Sequence, residues 1–351
     1  MTDLRSRLIK NSTIDFTATL TDSKIFGKKD MIPTRVPMIN VALSGSIDGG
    51  LTPGLTVLAA PSKHFKTAFS LLLASAFLRA NPDGIVLFYD SEFGTPESYF
   101  TSFGVPLDSV VHTPITDIEQ LKFDIMHQLS EIKRNDKIMI VVDSVGNLAS
   151  KKEVEDAMKQ SSAADMTRAK QLKSLFRMVT PHLTLKDIPM VVVNHVYMTQ
   201  EMYSKAVVSG GTGIYYSADN IWIIGRQQDK DDKELLGYHF VINIEKSRYL
   251  KEKSKIPITV SFDSGINKWS GLLDLALEGK FITKPKLGWY ARVDQETGEI
   301  MGKNYRAGDI VDNNDFWKSV FEETNFAEWI KNKYILPVGE IMADDTEENN
   351  E

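Results

Sequence analysis

The chain has 351 residues, 42% of them hydrophobic and 25% charged, with a formal net charge of −6 and no cysteine. Such a chain is a globular protein that can hold one large α/β domain with a smaller appendage, or two ordinary domains; it excludes a disulfide framework, a cysteine zinc site and a wholly basic surface. No apolar run reaches the length of a membrane span, so the expectation is a reducing, cytosolic compartment and no membrane partner.

In chain order, residues 1–32 read as a helix with Leu4, Leu8 and Ile9 on one side, followed by an extended piece over 15–20. Pro33 and Pro37 punctuate the start of the main domain. Apolar runs at 55–60, 85–90, 137–144 and 190–195 then alternate with helical patterns at 67–79, 117–134 and 165–180. Short apolar strands alternating with helices predict a mainly parallel central sheet covered on both faces. Beyond residue 215 the links shorten, and strands at 218–225, 238–244 and 256–262 predict an antiparallel extension of that sheet. A helix over 272–278 leads into a small α+β module. The expected organisation is an arm over 1–32, a core over 33–283, a C-terminal domain over 284–340 and an acidic, disordered tail over 341–351. Five carboxylates and no basic residue lie between Ala343 and Glu351.

The first strand runs into Ala60-Pro61-Ser62-Lys63-His64-Phe65-Lys66-Thr67. This is the layout of a phosphate-binding loop, G-x-x-x-x-G-K-[ST], with Ala60 and Phe65 in place of both glycines. Backbone N–H groups at a helix start attract anions, Lys66 supplies charge for β/γ-phosphates, and the Thr67 hydroxyl suits Mg²⁺. Phe65 brings a Cβ where glycine normally lets the backbone curl. The strand Ile138-Met139-Ile140-Val141-Val142-Asp143 ends in a carboxylate at the Walker B position, close to where Thr67 and a Mg²⁺ ion would lie. Glu92, just past another strand end, suits activation of a water; the competing reading is a helix N-terminus served by Asp90 and Glu92. His195 lies at a third strand end, where histidine also serves ordinary structural purposes.

The order A-x-x-x-x-F-K-T, F-Y-D-S-E-F-G, V-V-D-S-V-G-N-L-A-S-K-K-E, V-V-V-N-H and V-S-G-G-T-G-x-x-Y-S-A-D resembles the RecA recombinase family, and within it the branch from T4-like bacteriophages. Lys63, Phe65 and His195 are the departures shared with that branch. The resemblance implies a RecA-like ATPase core that uses ATP and Mg²⁺. Glu92 would activate water, His195 would sense the γ-phosphate, Tyr99 would stack on adenine, and Thr67 with Asp143 would hold the metal. It also implies two DNA-binding loops, at about 150–163 with Lys151 and Lys152, and at about 196–214. Lys205 suits phosphate there, Met198, Met202 and Val208 suit contact with bases, and Gly210, Gly211 and Gly213 suit a flexible loop. Lys246 and Arg248 resemble the cation pair that reaches a neighbouring subunit's γ-phosphate, and Phe16 and Ala18 the arm that packs on the next subunit. The implied partners are single- and double-stranded DNA, further copies in a helical filament, a single-strand-binding protein and a recombination mediator. The alternatives are a RecA-fold hexameric helicase or motor, and a nucleotide-gated filament with little hydrolysis.

Overall fold

The computed structural model describes residues 3–25, 27, 29–159, 167–200, 204–231 and 234–336. Five short strands come first: β1 (Gly54–Ala59), β2 (Ile85–Asp90), β3 (Val110–Pro114), β4 (Ile138–Asp143) and β5 (Pro189–Asn194). A hairpin follows, β6 (Val196–Met198) with β7 (Ala206–Val208), then β8 (Asn220–Asp231), β9 (Glu234–Ser247), β10 (Lys255–Ser261) and β11 (Gly265–Ile266). One nine-stranded sheet takes the order β3-β2-β4-β5-β1-β8-β9-β10-β11. From β3 to β8 every pairing is parallel, and β9 to β11 extend the sheet antiparallel. Alternation of strand and helix dictates the first part and short links the second.

Every residue of β1 and β5 is buried, which explains why their sequences are apolar apart from Thr56 and Asn194. The helix Lys66–Ala80 covers one face through Phe69, Leu73 and Phe77. Helices Ile118–Glu131 and Thr167–Lys186 cover the other through Leu121, Ile125, Leu172 and Phe176. A second sheet, β12 (Ile282–Lys286), β13 (Trp289–Val293) and β14 (Ile300–Arg306), combines with helices up to Tyr334 into the C-terminal module. Its Phe281, Trp317 and Phe326 join the core cluster that also holds the Pro37–Ser44 helix. Among the described residues no helix is long and apolar enough to cross a membrane.

Several expectations need correction. The strand β3 was not expected: Val110-Val111-His112-Thr113-Pro114 is a half-exposed edge strand whose pattern lacks a continuous apolar run. The segment after Pro37 is a helix, PMINVALS, with proline in its first turn and seven of its eight residues buried; a helix apolar all round shows no amphipathic period. Residues 15–20 form no strand, and Phe16 sits at φ 64° in a turn. Within the expected first DNA loop, Lys151–Met158 is helical, started by a capping box between Ser150 and Glu153. The 341–351 tail and Met202 lie outside the described residues.

Candidate active site

Strands β2, β4, β5 and β1 are adjacent, and their C-terminal ends deliver Asp90, Asp143, Asn194 and the loop after Ala59 to one edge of the sheet. Ligands collect at this edge in open α/β sheets. A cavity of about 430 Å³ opens there, lined by Lys66, Thr67, Glu92, Tyr99, Asp143 and His195 among others.

Within the phosphate loop, Lys63 and Phe65 both adopt left-handed backbone, at φ 60° and 63°. Phe65 therefore makes the turn that glycine makes without strain, at a cost of about 1–2 kcal/mol. Its ring offsets that cost by stacking on Phe240 at 5.2 Å and meeting Phe69 edge-on at 5.6 Å. Arg226 donates to the Lys63 carbonyl at 2.7 Å and ties the loop to β8. Phe65→Gly removes both the strain and the packing. We expect a net loss of about 1–2 kcal/mol in urea unfolding with nucleotide affinity changed less than about threefold, because Phe65, although it borders the cavity, packs its ring on Phe69, Phe103 and Phe240. A tenfold affinity change would place the ring in the nucleotide site.

Lys66 is buried, and its Nζ donates to the Pro61 carbonyl at 2.8 Å. Burial pulls its pKa down, while Glu92 and Asp143 push it back up. The Thr67 hydroxyl donates to Asp143 Oδ2 at 2.6 Å. Asp143 Oδ1 is buried with no hydrogen-bond partner. A buried acceptor without a donor beside a threonine hydroxyl is a donor set that fits Mg²⁺, which binds few protein oxygens and completes its shell with phosphate and water.

Burial pushes the Asp143 carboxyl up to about 6, and the Thr67 bond only partly opposes this. The folded protein thus takes up a proton here between the unfolded carboxyl value, 3.8, and 6. Stability from this group is fully present below 3.8 and is lost as pH rises through 6. Nucleotide-free protein should lose on the order of 2–3 kcal/mol between pH 4 and 7 through Asp143. In Asp143→Asn, urea midpoints across that range should fall less steeply than in wild type. Parallel slopes would show that Asp143 titrates at an ordinary value.

Glu92 lies five residues ahead of the first residue of the next helix, Glu97–Ser102, so the helix-dipole reading does not hold. Asp90 Oδ1 accepts the N–H groups of Glu92 at 2.9 Å and Phe93 at 2.8 Å and sets the turn that carries Glu92. Glu92 Oε1 in turn accepts from Ser144 Oγ and Asn147 Nδ2. His195 Nε2 lies 3.6 Å from the same oxygen. Burial is the main cause lowering the His195 pKa, with Lys66 adding to it. Tyr99, half-buried at the cavity wall, meets Phe103 edge-on at 5.3 Å.

The hairpin β6–β7 hangs from this site. Ser209 N–H donates to the His195 carbonyl at 2.9 Å, and Asn194 Nδ2 donates to the Ser209 carbonyl at 2.7 Å. Met198 and Lys205 are exposed on the hairpin. The glycines expected to loosen this segment do something more definite. Gly210 and Gly211 hold φ 96° and 77° at the start of the helix Thr212–Ser217, and a Cβ on Gly213 would come within 2.7 Å of Lys173 Cα. Lys151 and Lys152 are exposed on their helix. Lys246 and Arg248 do not line the cavity: Arg248 pairs with Asp219 near the start of β1, and Lys246, level with Val57 in the strand register, donates to the Tyr215 carbonyl.

Sequence comparison agrees with this architecture. The model of the RecA N-terminal domain matches residues 19–267, most of the chain. The chain belongs to the RecA family of recombinases. The model described as Bacteriophage T4, Recombination and repair protein, C-terminal domain, matches residues 269–330. The Recombination and repair protein of Enterobacteria phage T4 is 53% identical over 340 residues, covering 96% of this chain and 87% of that protein. Protein RecA of Leptospira meyeri is 25% identical over 308 residues, 83% of this chain and 77% of its own. Protein RecA of Xanthomonas campestris pv. campestris is 24% identical over 292 residues, covering 81% of each. Relative to these RecA-family motifs, the residues that sequence reasoning left without a role are Ser144, Asn147 and Arg168. The first two follow Asp143 within the motif V-V-D-S-V-G-N, and two polar side chains so close behind a Walker B carboxylate were the available signal.

Proposed function

We propose that this recombinase hydrolyses ATP with Mg²⁺, polymerises on single-stranded DNA as a helical filament in the host cytosol, and pairs that strand with duplex DNA. The arm over 1–32 and the faces around the cavity are its subunit contacts, and a single-strand-binding protein and a mediator are its accessory partners. What carries the reading is the convergence of Lys66, Thr67, Asp143, Glu92 and His195 on one cavity from which the β6–β7 hairpin hangs.

Each residue has a part in that chemistry. The loop N–H groups and Lys66 bind the β/γ-phosphates at the start of a 15-residue helix. Tyr99 offers its ring to the adenine. Thr67 and Asp143 would hold Mg²⁺, which supplies charge neutralisation on the phosphate oxygens when bound. Glu92 orients the attacking water and accepts its proton. His195 meets the γ-phosphate and passes its presence through Ser209 to the hairpin, where Lys205 contacts DNA phosphate and Met198 and Met202 contact bases. Lys151, Lys152, Gly210 and Gly211 complete the DNA-facing surface.

The test is ATP turnover with and without single-stranded DNA, alongside electron microscopy of ATP–DNA mixtures. DNA-stimulated turnover with helical filaments supports the reading, whereas closed rings would favour a hexameric motor. Glu92→Gln should keep ATP binding and filaments but slow turnover by about 10²-fold or more, since the amide can orient water but cannot take its proton. Unchanged turnover would return Glu92 to a structural role.

A further inference from the structure

Glu92 and His195 do not bond to each other: 3.6 Å separates Glu92 Oε1 from His195 Nε2. A single side chain spans them. Asn147 Nδ2 donates to Glu92 Oε1 at 3.1 Å, and Asn147 Oδ1 lies 3.1 Å from His195 Nε2. The amide can face only one way, because a carboxylate oxygen accepts and cannot donate. Its Nδ2 must point to Glu92, so its oxygen must point to the imidazole, and this favours a ring that presents Nε2–H over one that gives its proton to the Ala60 backbone, the other acceptor it faces. Burial and Lys66 hold the His195 pKa below its ordinary value, so at pH 7.5 the ring is neutral and the choice of tautomer is a real one.

The loop around Asn147 is held for this purpose by contacts that do not involve its side chain. Arg168 donates to the carbonyls of Val145 at 3.0 Å, Gly146 at 2.9 Å and Leu148 at 2.8 Å. Gly146 lets the imidazole approach, since a Cβ there would lie 2.2 Å from His195 Cδ2. Ser144 Oγ adds a second donor to Glu92 Oε1 at 2.9 Å.

We propose that Asn147 is a positioning residue that couples Glu92 to His195, holding the carboxylate in place and the imidazole in its Nε2–H tautomer. The proposal rests on the hydrolytic reading of Glu92 and His195 given above. An oxygen of a bound phosphate that accepts the Nε2–H hydrogen bond leaves the Asn147 carbonyl without its donor. The amide must then re-pair, and Glu92, which shares it, is repositioned in the same event. Occupancy at His195 thereby reaches both the DNA hairpin, through Ser209, and the water-activating carboxylate, through Asn147.

The test uses full-length protein labelled with ¹⁵N-histidine, His195 being assigned by its loss in His195→Gln. Long-range ¹H–¹⁵N spectra of nucleotide-free wild type should show His195 as Nε2–H. Asn147→Ala should lose that pattern, and its DNA-stimulated ATP turnover should fall about tenfold with KM for ATP within about twofold. Asn147→Asp keeps an acceptor for the imidazole but no donor for Glu92, so it should retain the Nε2–H pattern and still lose turnover. Asn147 is exposed, and Arg168 grips the neighbouring carbonyls, so both variants should melt near wild type. A wild-type Nδ1–H tautomer, or an Asn147→Ala protein with unchanged tautomer and turnover, would overturn the proposal. So would a loss confined to KM. A wild-type protein that hydrolyses no ATP while Asn147→Ala still changes the tautomer would overturn the hydrolytic reading and leave the positioning role standing.

Discussion

Lys66→Ala should lose ATP binding by about 10²-fold or more and with it all DNA-stimulated hydrolysis. The ammonium is buried beneath the loop, near Glu92 and Asp143, and its one named contact is the Pro61 carbonyl at 2.8 Å. A buried charge-assisted hydrogen bond to phosphate contributes about 1.5–3 kcal/mol, and in a loop lacking both glycines fewer backbone approaches replace it. The fold should survive, because alanine is the best helix former at the first position of the Lys66–Ala80 helix and removal of a desolvated charge relieves a burial cost. Lys66→Arg should not rescue, since a planar fork cannot occupy the space of a point charge. Titration with a fluorescent ATP analogue measures the affinity, and thermal melting controls for folding. A variant that retained DNA-stimulated hydrolysis would remove the phosphate-loop assignment.

The parts of this site that were legible in the sequence share one physical trait. Asp143 and the pair Asn194-His195 close apolar strand runs, Ile138–Val142 and Met190–Val193, so polar residues there stand out against their neighbours. Lys66 and Thr67 open a helix directly after such a strand, and Glu92 follows another. Such a strand is buried on both faces, and its C-terminal end is where the parallel sheet meets solvent and ligand. Edge strand β3 escaped because one side of it faces water and its five residues give no run. The Pro37–Ser44 helix escaped for the opposite reason, since burial on all sides erases amphipathic period.

Within the site, the residues that position others left little trace. Asp90 reads as a strand end, yet its work is done through two backbone N–H groups that no spacing rule reveals. Asn147 acquires meaning only because β4 and β5 are neighbours, which brings the loop after one strand against the histidine after the other. Phe65 looked like a defect in the loop. Its left-handed backbone and its stack on Phe240, 175 positions away, show a hydrophobic anchor in place of conformational freedom.

Lys246→Ala and Arg248→Ala should each leave monomer nucleotide affinity within about twofold while abolishing cooperative, ATP-dependent assembly and DNA-stimulated hydrolysis. Neither residue lines the cavity of its own subunit. Arg248 pairs with Asp219, whose other oxygen accepts the Leu55 N–H at 2.8 Å at the start of β1, whereas the phosphate loop leaves from the end of that strand. Lys246 stands level with Val57 in the strand register and gives its ammonium to the Tyr215 carbonyl. We expect the phosphate that these cations meet to come from a second copy. The present contacts of Lys246 are replaceable: it donates to the carbonyls of Tyr215 and Tyr216 at 2.7 and 3.4 Å near the surface, whereas Arg248, although most of its side chain is exposed, pairs with Asp219. Truncating Lys246 should therefore change stability by less than about 1 kcal/mol, and Arg248→Ala by more, because it leaves the buried Asp219 carboxylate without its cation. Mixing either variant with Lys66→Ala protein decides the matter. Some mixed interfaces then combine an intact phosphate loop from one chain with intact cations from the other, and activity should return in proportion to their number. Mixed filaments that stay inactive would argue for a solvated basic patch. Normal assembly with weaker DNA binding, and a shallower dependence on salt, would instead make Lys246 and Arg248 contacts to DNA phosphate.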